Sequence, residues 1–284
     1  MASPETCVGC YQWDVPWPAT SPLLDLIRAH PDDLPLDHAV ALLAAEEQPG
    51  VDPDDILRAL DDLAAPIHVA DGTSPFEAIA RLNHRLFTEL GFSGDRDDYY
   101  APRNSFINKV LERKRGLPIA LSVLYVEVGR RAGVELDGVG FPGHFLVGTR
   151  PRGDEPGFYV DPFYGGEVHT RDDLVQRLRQ MGMPPGRDDL MLGPSSAQQI
   201  LLRMTYNLKG SYLRLRQLPE ALRQIDRVLV LAPERYQEHR DRGLLLGEAG
   251  RREPALESLR RYLEQAPEAD DRDIILEVVK GLES

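Results

Sequence analysis

A chain of 284 residues, 42% hydrophobic and 28% charged, is long enough for two domains with a sizeable core, and a formal net charge of −13 excludes a basic nucleic-acid surface. The charge is uneven: residues 1–100 hold 19 of the 46 acids against 5 arginines, while the remainder is close to neutral, so the N-terminal third would be repelled by phosphate. No run reaches the roughly 18 apolar residues that span a bilayer. Met1–Cys10 lacks the basic start and apolar core of a secretory signal, so the expected compartment is the reducing cytoplasm.

Residues 1–20 read as a disordered tail. Cys7 and Cys10 are the only cysteines and make half a zinc site at best, so neither metal nor cofactor is expected. Short apolar-periodic runs at Leu23–Ala29 and Leu36–Glu47 predict helices, the second stopped by Pro49-Gly50. Asp52-Pro53 opens a third over Asp54–Ala65, with acids in its first turn, where the helix dipole favours them. Ser74-Pro75 starts a fourth, with Phe76, Ile79, Asn83, Leu86 and Leu90 at helical spacing and Gly91 as its stop. Asp95, Asp97 and Asp98 lack the glycine and closing glutamate of a calcium loop and read as a solvated turn. Asn104–Arg115 is predicted helical.

The organising stretch follows. Pro118 suits the first turn of a helix, where its missing N–H costs nothing, and the residues to Ala132 carry charge only at Glu127, Arg130 and Arg131. A helix apolar nearly all round is a buried one, and Gly133 ends it. Strand-like runs at Val134–Phe141 and His144–Gly148 flank a Pro142-Gly143 turn, and Phe158–Val160 leads into Asp161-Pro162. The expected fold is α+β, a buried helix on a small antiparallel sheet, occupying residues 21–180 together with the preceding helices.

After a helix beginning near Asp172, residues 181–196 hold three prolines and three glycines and read as a linker. Beyond them a period of 34 residues pairs Ala221 with Ala255 and Pro233 with Pro267. A small residue at a helix crossing and a proline closing the second helix are what a tetratricopeptide unit needs. Two units, about 202–235 and 236–269, and a capping helix over Asp271–Leu282 make 197–284 an all-α repeat domain.

The stretch from Gly116 to Asp161 resembles the transglutaminase-like, papain-related fold. Its marks are Gly-x-Cys at the start of a buried helix, Arg twelve residues after the Cys and Gly three later, then His and Asp on following strands. Gly116, Arg130, Gly133, His144 in Pro-Gly-His-Phe-Leu-Val and Asp161 in Val-Asp-Pro-Phe fall in register; the Cys position is Pro118. The chain is similar in particular to a bacterial family that joins such a domain to C-terminal tetratricopeptide repeats, through Asn104-Ser105 to Arg113, Gly138–Phe145 and Asp161–Gly166.

The resemblance implies a Cys-His-Asp triad whose nucleophile is missing, since proline cannot attack a carbonyl. His144 and Asp161 are then a vestigial dyad or a structural polar pair. Ser122, one turn after Pro118, is the hydroxyl placed to substitute, about 6 Å further along the helix, or a buried serine bonding the Pro118 carbonyl. Asn104 and Asn108 are candidates to line the cleft, with a helix-capping role open for Asn104. Two functional readings follow. One is a non-catalytic, cytoplasmic protein that binds a protein or peptide partner in its cleft and through the concave face of its repeats, with Asn207 and Arg214 as contacts. The other is a hydrolase or acyltransferase of unorthodox mechanism using His144 and Asp161. Neither nucleic acid nor membrane is an expected partner.

Overall fold

The computed structural model describes residues 21–70, 72–151 and 157–284, which fall into two compact units, 22–204 and 205–284. Cys7 and Cys10, and with them the expected tail, lie outside the described residues.

The first unit opens with three helices, α1 (Pro22–Ala29), α2 (Leu36–Glu47) and α3 (Pro53–Ala64). The α3 start is dictated locally: the Asp52 side chain accepts from the Asp54 backbone N–H, and Pro53 occupies the first turn. Ser74 caps α4 (Pro75–Asn83) in the same way by accepting from Glu77 N–H, and the helix then widens into a π-helical turn over His84–Glu89. Two-residue strands β1 (Ser93–Gly94) and β2 (Arg115–Gly116) pair in parallel around α5 (Ile107–Arg113). The helix expected over Asn104–Arg115 is therefore shorter, because Pro102–Asn104 forms a separate 3₁₀ turn and Phe106 is extended at the start of α5.

The central helix α6 (Pro118–Arg131) has Pro118 in its first turn and eleven buried residues. It packs along an antiparallel sheet of order β3 (Leu136–Phe141), β4 (His144–Thr149), β5 (Tyr159–Asp161) and β6 (Glu167–His169). In the β3–β4 hairpin Phe141 pairs with His144, and in the next ladder Val147 pairs with Val160. Val139, Phe141 and Leu146 form a core with Leu174, Val175 and Leu178 of α7 (Arg171–Gln180). Thr170 starts α7 with a reciprocal capping box to Asp173.

Residues 181–196 do not behave as the free linker their prolines and glycines suggest. They contain a short helix α8 (Asp188–Met191), and Leu192 joins the sheet core with Met183 and Met191 packed against it. Ser195 N–H then donates to the Gly138 carbonyl at 2.8 Å. Apolar residues between the breakers are what recruit the segment onto the sheet.

Helix α9 (Ala197–Arg214) begins in the first unit and ends in the second, which continues with α10 (Leu218–Leu231), α11 (Gln237–Glu248), α12 (Arg252–Gln265) and α13 (Arg272–Glu283). The helix pairs follow the 34-residue period, and the matched alanines Ala221 and Ala255 are fully buried. Tyr262, Leu259 and Leu256 of α12 pack against Ile275 and Val279 of α13.

Candidate functional site

His144 is the first residue of β4, delivered there by a turn in which Gly143 takes φ +68°. Asp161 ends β5, and its carboxylate divides its two oxygens. Oδ1 accepts from the backbone N–H groups of Phe163 and Tyr164 at 3.1 and 3.3 Å, capping the 3₁₀ turn Pro162–Tyr164, while Oδ2 lies 2.7 Å from His144 Nε2. The aspartate side chain is 2% exposed and the imidazole 18%. A carboxylate only accepts, so Nε2 carries the ring proton facing Asp161 and Nδ1 is left as the other ring nitrogen.

Aromatic rings surround this pair. Phe163 meets the imidazole edge-on and Tyr164 lies tilted to it, both with centroids 5.8 Å away. Tyr99 packs against Phe163, and the Arg96 guanidinium stands over the exposed Tyr164 ring at 4.6 Å. On the backbone side Arg203 of α9 donates from Nη2 to the carbonyls of Phe141 and His144 at 3.2 and 2.5 Å, holding both ends of the hairpin turn.

Ser122 of α6 is fully buried and donates to the Phe145 carbonyl at 3.3 Å, not to the Pro118 carbonyl. Its bond brings the helix one turn beyond Pro118 to the residue following His144. Tyr125, also buried, donates to the Asn83 side-chain oxygen at 2.9 Å, and burial pushes its phenol far above the usual range. The two candidate asparagines do other work. Asn104 is fully buried, donates to the Asp98 carbonyl at 2.7 Å and accepts from Arg113, which also grips Asp95; it thereby holds the loop that carries Tyr99. No side chain caps α5. Asn108 exchanges a pair of 3.1 Å hydrogen bonds with Gln48 at the end of α2. In the second unit Asn207 is half-buried and Arg214 exposed on α9.

The motif arginine, Arg130, belongs to a separate cluster at the far end of α6. Arg130 and Arg131 each bond both Asp37 of α2 and Glu127, and Arg131 reaches Asp61 as well. This cluster faces a cleft of about 840 Å³ between the α1–α2 region and α6. Its two buried acids shift in opposite directions. Burial pushes Asp37 up, but bonds from His38 and Arg131 and the Arg130 charge outweigh it and leave it below 3.8. Glu127 is raised above 4.5 by burial and by the neighbouring Asp37, against the pull of its arginines. Among the described residues no group of three His, Cys, Asp or Glu side chains converges to hold a metal, and no helix is long and apolar enough to cross a membrane.

Sequence reasoning missed Arg203, which holds the His144 carbonyl, Arg96, which covers Tyr164, and Asn83, which holds Gly166. Tyr164 was within reach, since it follows Asp161-Pro162-Phe163 directly; nothing in the local pattern around Arg203 marks it.

A buried helix feeding a four-stranded sheet with a His–Asp pair, followed by paired helices at a 34-residue period, defines a transglutaminase-like domain joined to tetratricopeptide repeats. Family comparison agrees: residues 54–206 match the transglutaminase-like superfamily and residues 208–280 a tetratricopeptide repeat. The chain belongs to the UPF0162 family. It is 37% identical to the UPF0162 protein of Xylella fastidiosa over 88% of this chain and 91% of that protein, and 31% identical to that of Vibrio cholerae over 77% and 79%. A shorter match, 42% identity over 71 residues, is to mouse F-box only protein 21, covering 25% of this chain and 11% of that protein. No solved structure matches.

Proposed function

We propose that this protein is a non-catalytic binding protein of the cytoplasm. Its transglutaminase-like domain takes a peptide segment beside His144, and the repeats, about residues 197–284, add a second docking surface. The observation that carries this reading is the division of labour at Asp161: one oxygen orients His144 and the other caps the Pro162–Tyr164 turn, so the pair serves the fold whether or not a nucleophile is present. The resemblance puts the nucleophile position at Pro118, a residue with no attacking group, which stands at the buried start of α6. Repeats of this class are interaction modules, which supports the same direction.

The test starts from a protein with Cys7 and Cys10 changed to Ser. Pro118→Cys in that background places a thiol at a helix N-terminus, where the dipole lowers its pKa. Iodoacetamide should modify it at about pH 6–7, well below the ordinary thiol range near 8.5, and His144→Ala should slow the reaction. The unaltered protein should hydrolyse no ester or amide in a model-substrate panel. Hydrolysis abolished by His144→Ala would replace this reading with the hydrolase one.

A further inference from the structure

We propose that the crevice between α10, α11 and α12 of the repeats binds a small carboxylate-bearing molecule, whose carboxylate is held by Arg242 and Arg261 beside the His239 imidazole. Its walls come from the second unit alone, and it shares no residue with the surface around His144.

The crevice has a volume of about 330 Å³, at the small end for a ligand pocket, with Leu229 and Pro233 as its apolar wall and its polar groups on α11 and α12. His239 sets it apart from a simple gap between helices. The residue is 8% exposed, yet among the described residues neither ring nitrogen has a hydrogen-bond partner, and neither is sealed from solvent. Buried polar groups are ordinarily bonded. An imidazole that is nine-tenths buried and keeps its nitrogens open at a crevice lacks a partner there.

The charges around the ring come from the same three helices. Arg242 gives Nε to Asp226 Oδ1 of α10 and Nη1 to Ser258 Oγ of α12, both at 2.8 Å, which fixes the guanidinium and leaves Nη2 unused. The Ser258 hydroxyl donates to the Pro254 carbonyl at 3.0 Å, so it holds Arg242 and has no hydrogen left for a ligand. Arg261 is exposed and has no ion-pair or hydrogen-bond partner among the described residues, whereas the adjacent Arg260 is paired with Glu283. Burial, then Arg261 and Arg242, hold the His239 pKa below the usual imidazole range against the pull of Asp226, so both guanidinia act on the ring. A neutral imidazole still has one N–H to give. Asp226 is engaged by Arg242 from α10, and the crevice wall itself carries Arg242, Arg261 and the exposed Glu257, an excess of one positive charge. That balance suits a monoanion better than a phosphate dianion, which would also face Glu257. A planar carboxylate can accept from both guanidinia and from the imidazole, while its carbon chain lies on Leu229 and Pro233.

The test is NMR of the full chain with butanoate, and with butanamide as its uncharged counterpart, reading the His239 ring signals assigned by their absence in His239→Gln. Butanoate should shift them saturably with a midpoint at or below about 10 mM, and butanamide should bind at least about tenfold more weakly. The bound carboxylate should also raise the ring pKa toward the ordinary histidine value near 6.5. Arg261→Gln should weaken butanoate binding about tenfold and remove most of the preference over butanamide. Glu257→Gln should tighten it severalfold by removing the opposing carboxylate. Both substitutions fall on exposed side chains, so they carry the test without Arg242, which also ties the helices together. Equal affinities for the two probes, no saturable shift up to about 50 mM butanoate, a preference that survives Arg261→Gln, or weaker binding in Glu257→Gln would each overturn the inference. Shifts produced by inorganic phosphate but not by butanoate, or by the C-terminal carboxylate of a peptide alone, would assign the crevice to another ligand and overturn it as well.

Discussion

The side-chain amide of Asn83 donates to the Gly166 carbonyl at 2.8 Å, and Gly166 N–H donates in turn to the Asp161 carbonyl at 2.8 Å. Because Tyr125 donates to the oxygen of the same amide, one side chain joins the end of α4, the middle of α6 and the turn that follows the dyad aspartate. The π-helical turn begins at the next residue, His84, so the widened helix lies beside this junction.

Gly166 is the sensitive point of that junction. Its φ is +83°, and a Cβ there would meet Asn83 and Phe87 atoms at 2.5–2.6 Å, whereas Gly165, φ +71°, has open space around it. Gly165→Ala should cost only the left-handed conformation, about 1–2 kcal/mol. Gly166→Ala adds a clash with packed side chains and should cost about 2–4 kcal/mol in urea denaturation. Equal costs for the two would show that Asn83 gives way freely and does not hold the turn.

The Asp37 cluster predicts a pH dependence. Asp37 is held below 3.8 in the folded chain, so the stability it contributes is fully present above that value and is lost as pH falls through the lower folded value. Glu127 runs the other way: its raised value means that charging it opposes the fold as pH rises past 4.5. Asp37→Asn, which strips a carboxylate from Arg130 and Arg131, should therefore cost about 2–4 kcal/mol near pH 7, and the difference from wild type should narrow below about pH 4. Glu127→Gln should cost less. Urea midpoints across that range check both, and a constant Asp37→Asn penalty down to about pH 3 would mean that the carboxylate is not paired as described.

Helix starts written in caps and prolines were legible in the sequence: Asp52-Pro53, Ser74-Pro75 and Pro118 each open a helix where expected. The His144–Asp161 pairing was legible too, since both positions sit at strand ends of a short antiparallel sheet. What the pattern could not convey depends on side chains far apart in the chain. Asn104 reads as a cleft-lining amide or a helix cap, but in the fold it is buried and its amide turns toward Asp98 and Arg113. Arg203 follows His144 by 59 residues and reaches it only because α9 lies against the β3–β4 hairpin. Three-residue β6 is too short to show a period.

The segment 181–196 offers a direct check on packing against composition. Leu192 is 5% exposed in the sheet core, while Arg187 in the same segment is exposed. Leu192→Ala should destabilise by about 2–4 kcal/mol and speed tryptic cutting at Arg187 by roughly tenfold or more, as the segment detaches. Identical cleavage rates in wild type and variant would restore the reading of this stretch as a free linker.

In the repeats the decisive contact is the crossing of α11 and α12. A Cβ on Gly243 would meet Leu259 at 2.5–2.6 Å and the Ala255 carbonyl at 3.1 Å, whereas at Gly247, one turn later, the nearest atoms are 3.7 Å away. Glycine inside a helix ordinarily costs about 1 kcal/mol relative to alanine, so Gly247→Ala should raise stability by up to about 1 kcal/mol. At Gly243 the same propensity gain is opposed by overpacking of about 1–3 kcal/mol against a fully buried leucine, and the net effect should be a loss. The two substitutions are chemically identical and lie on one helix, so opposite signs in thermal or urea denaturation isolate the close approach of α11 to α12. A stabilised Gly243→Ala would show that the helices can separate without cost, and the small residue would then have no packing role there.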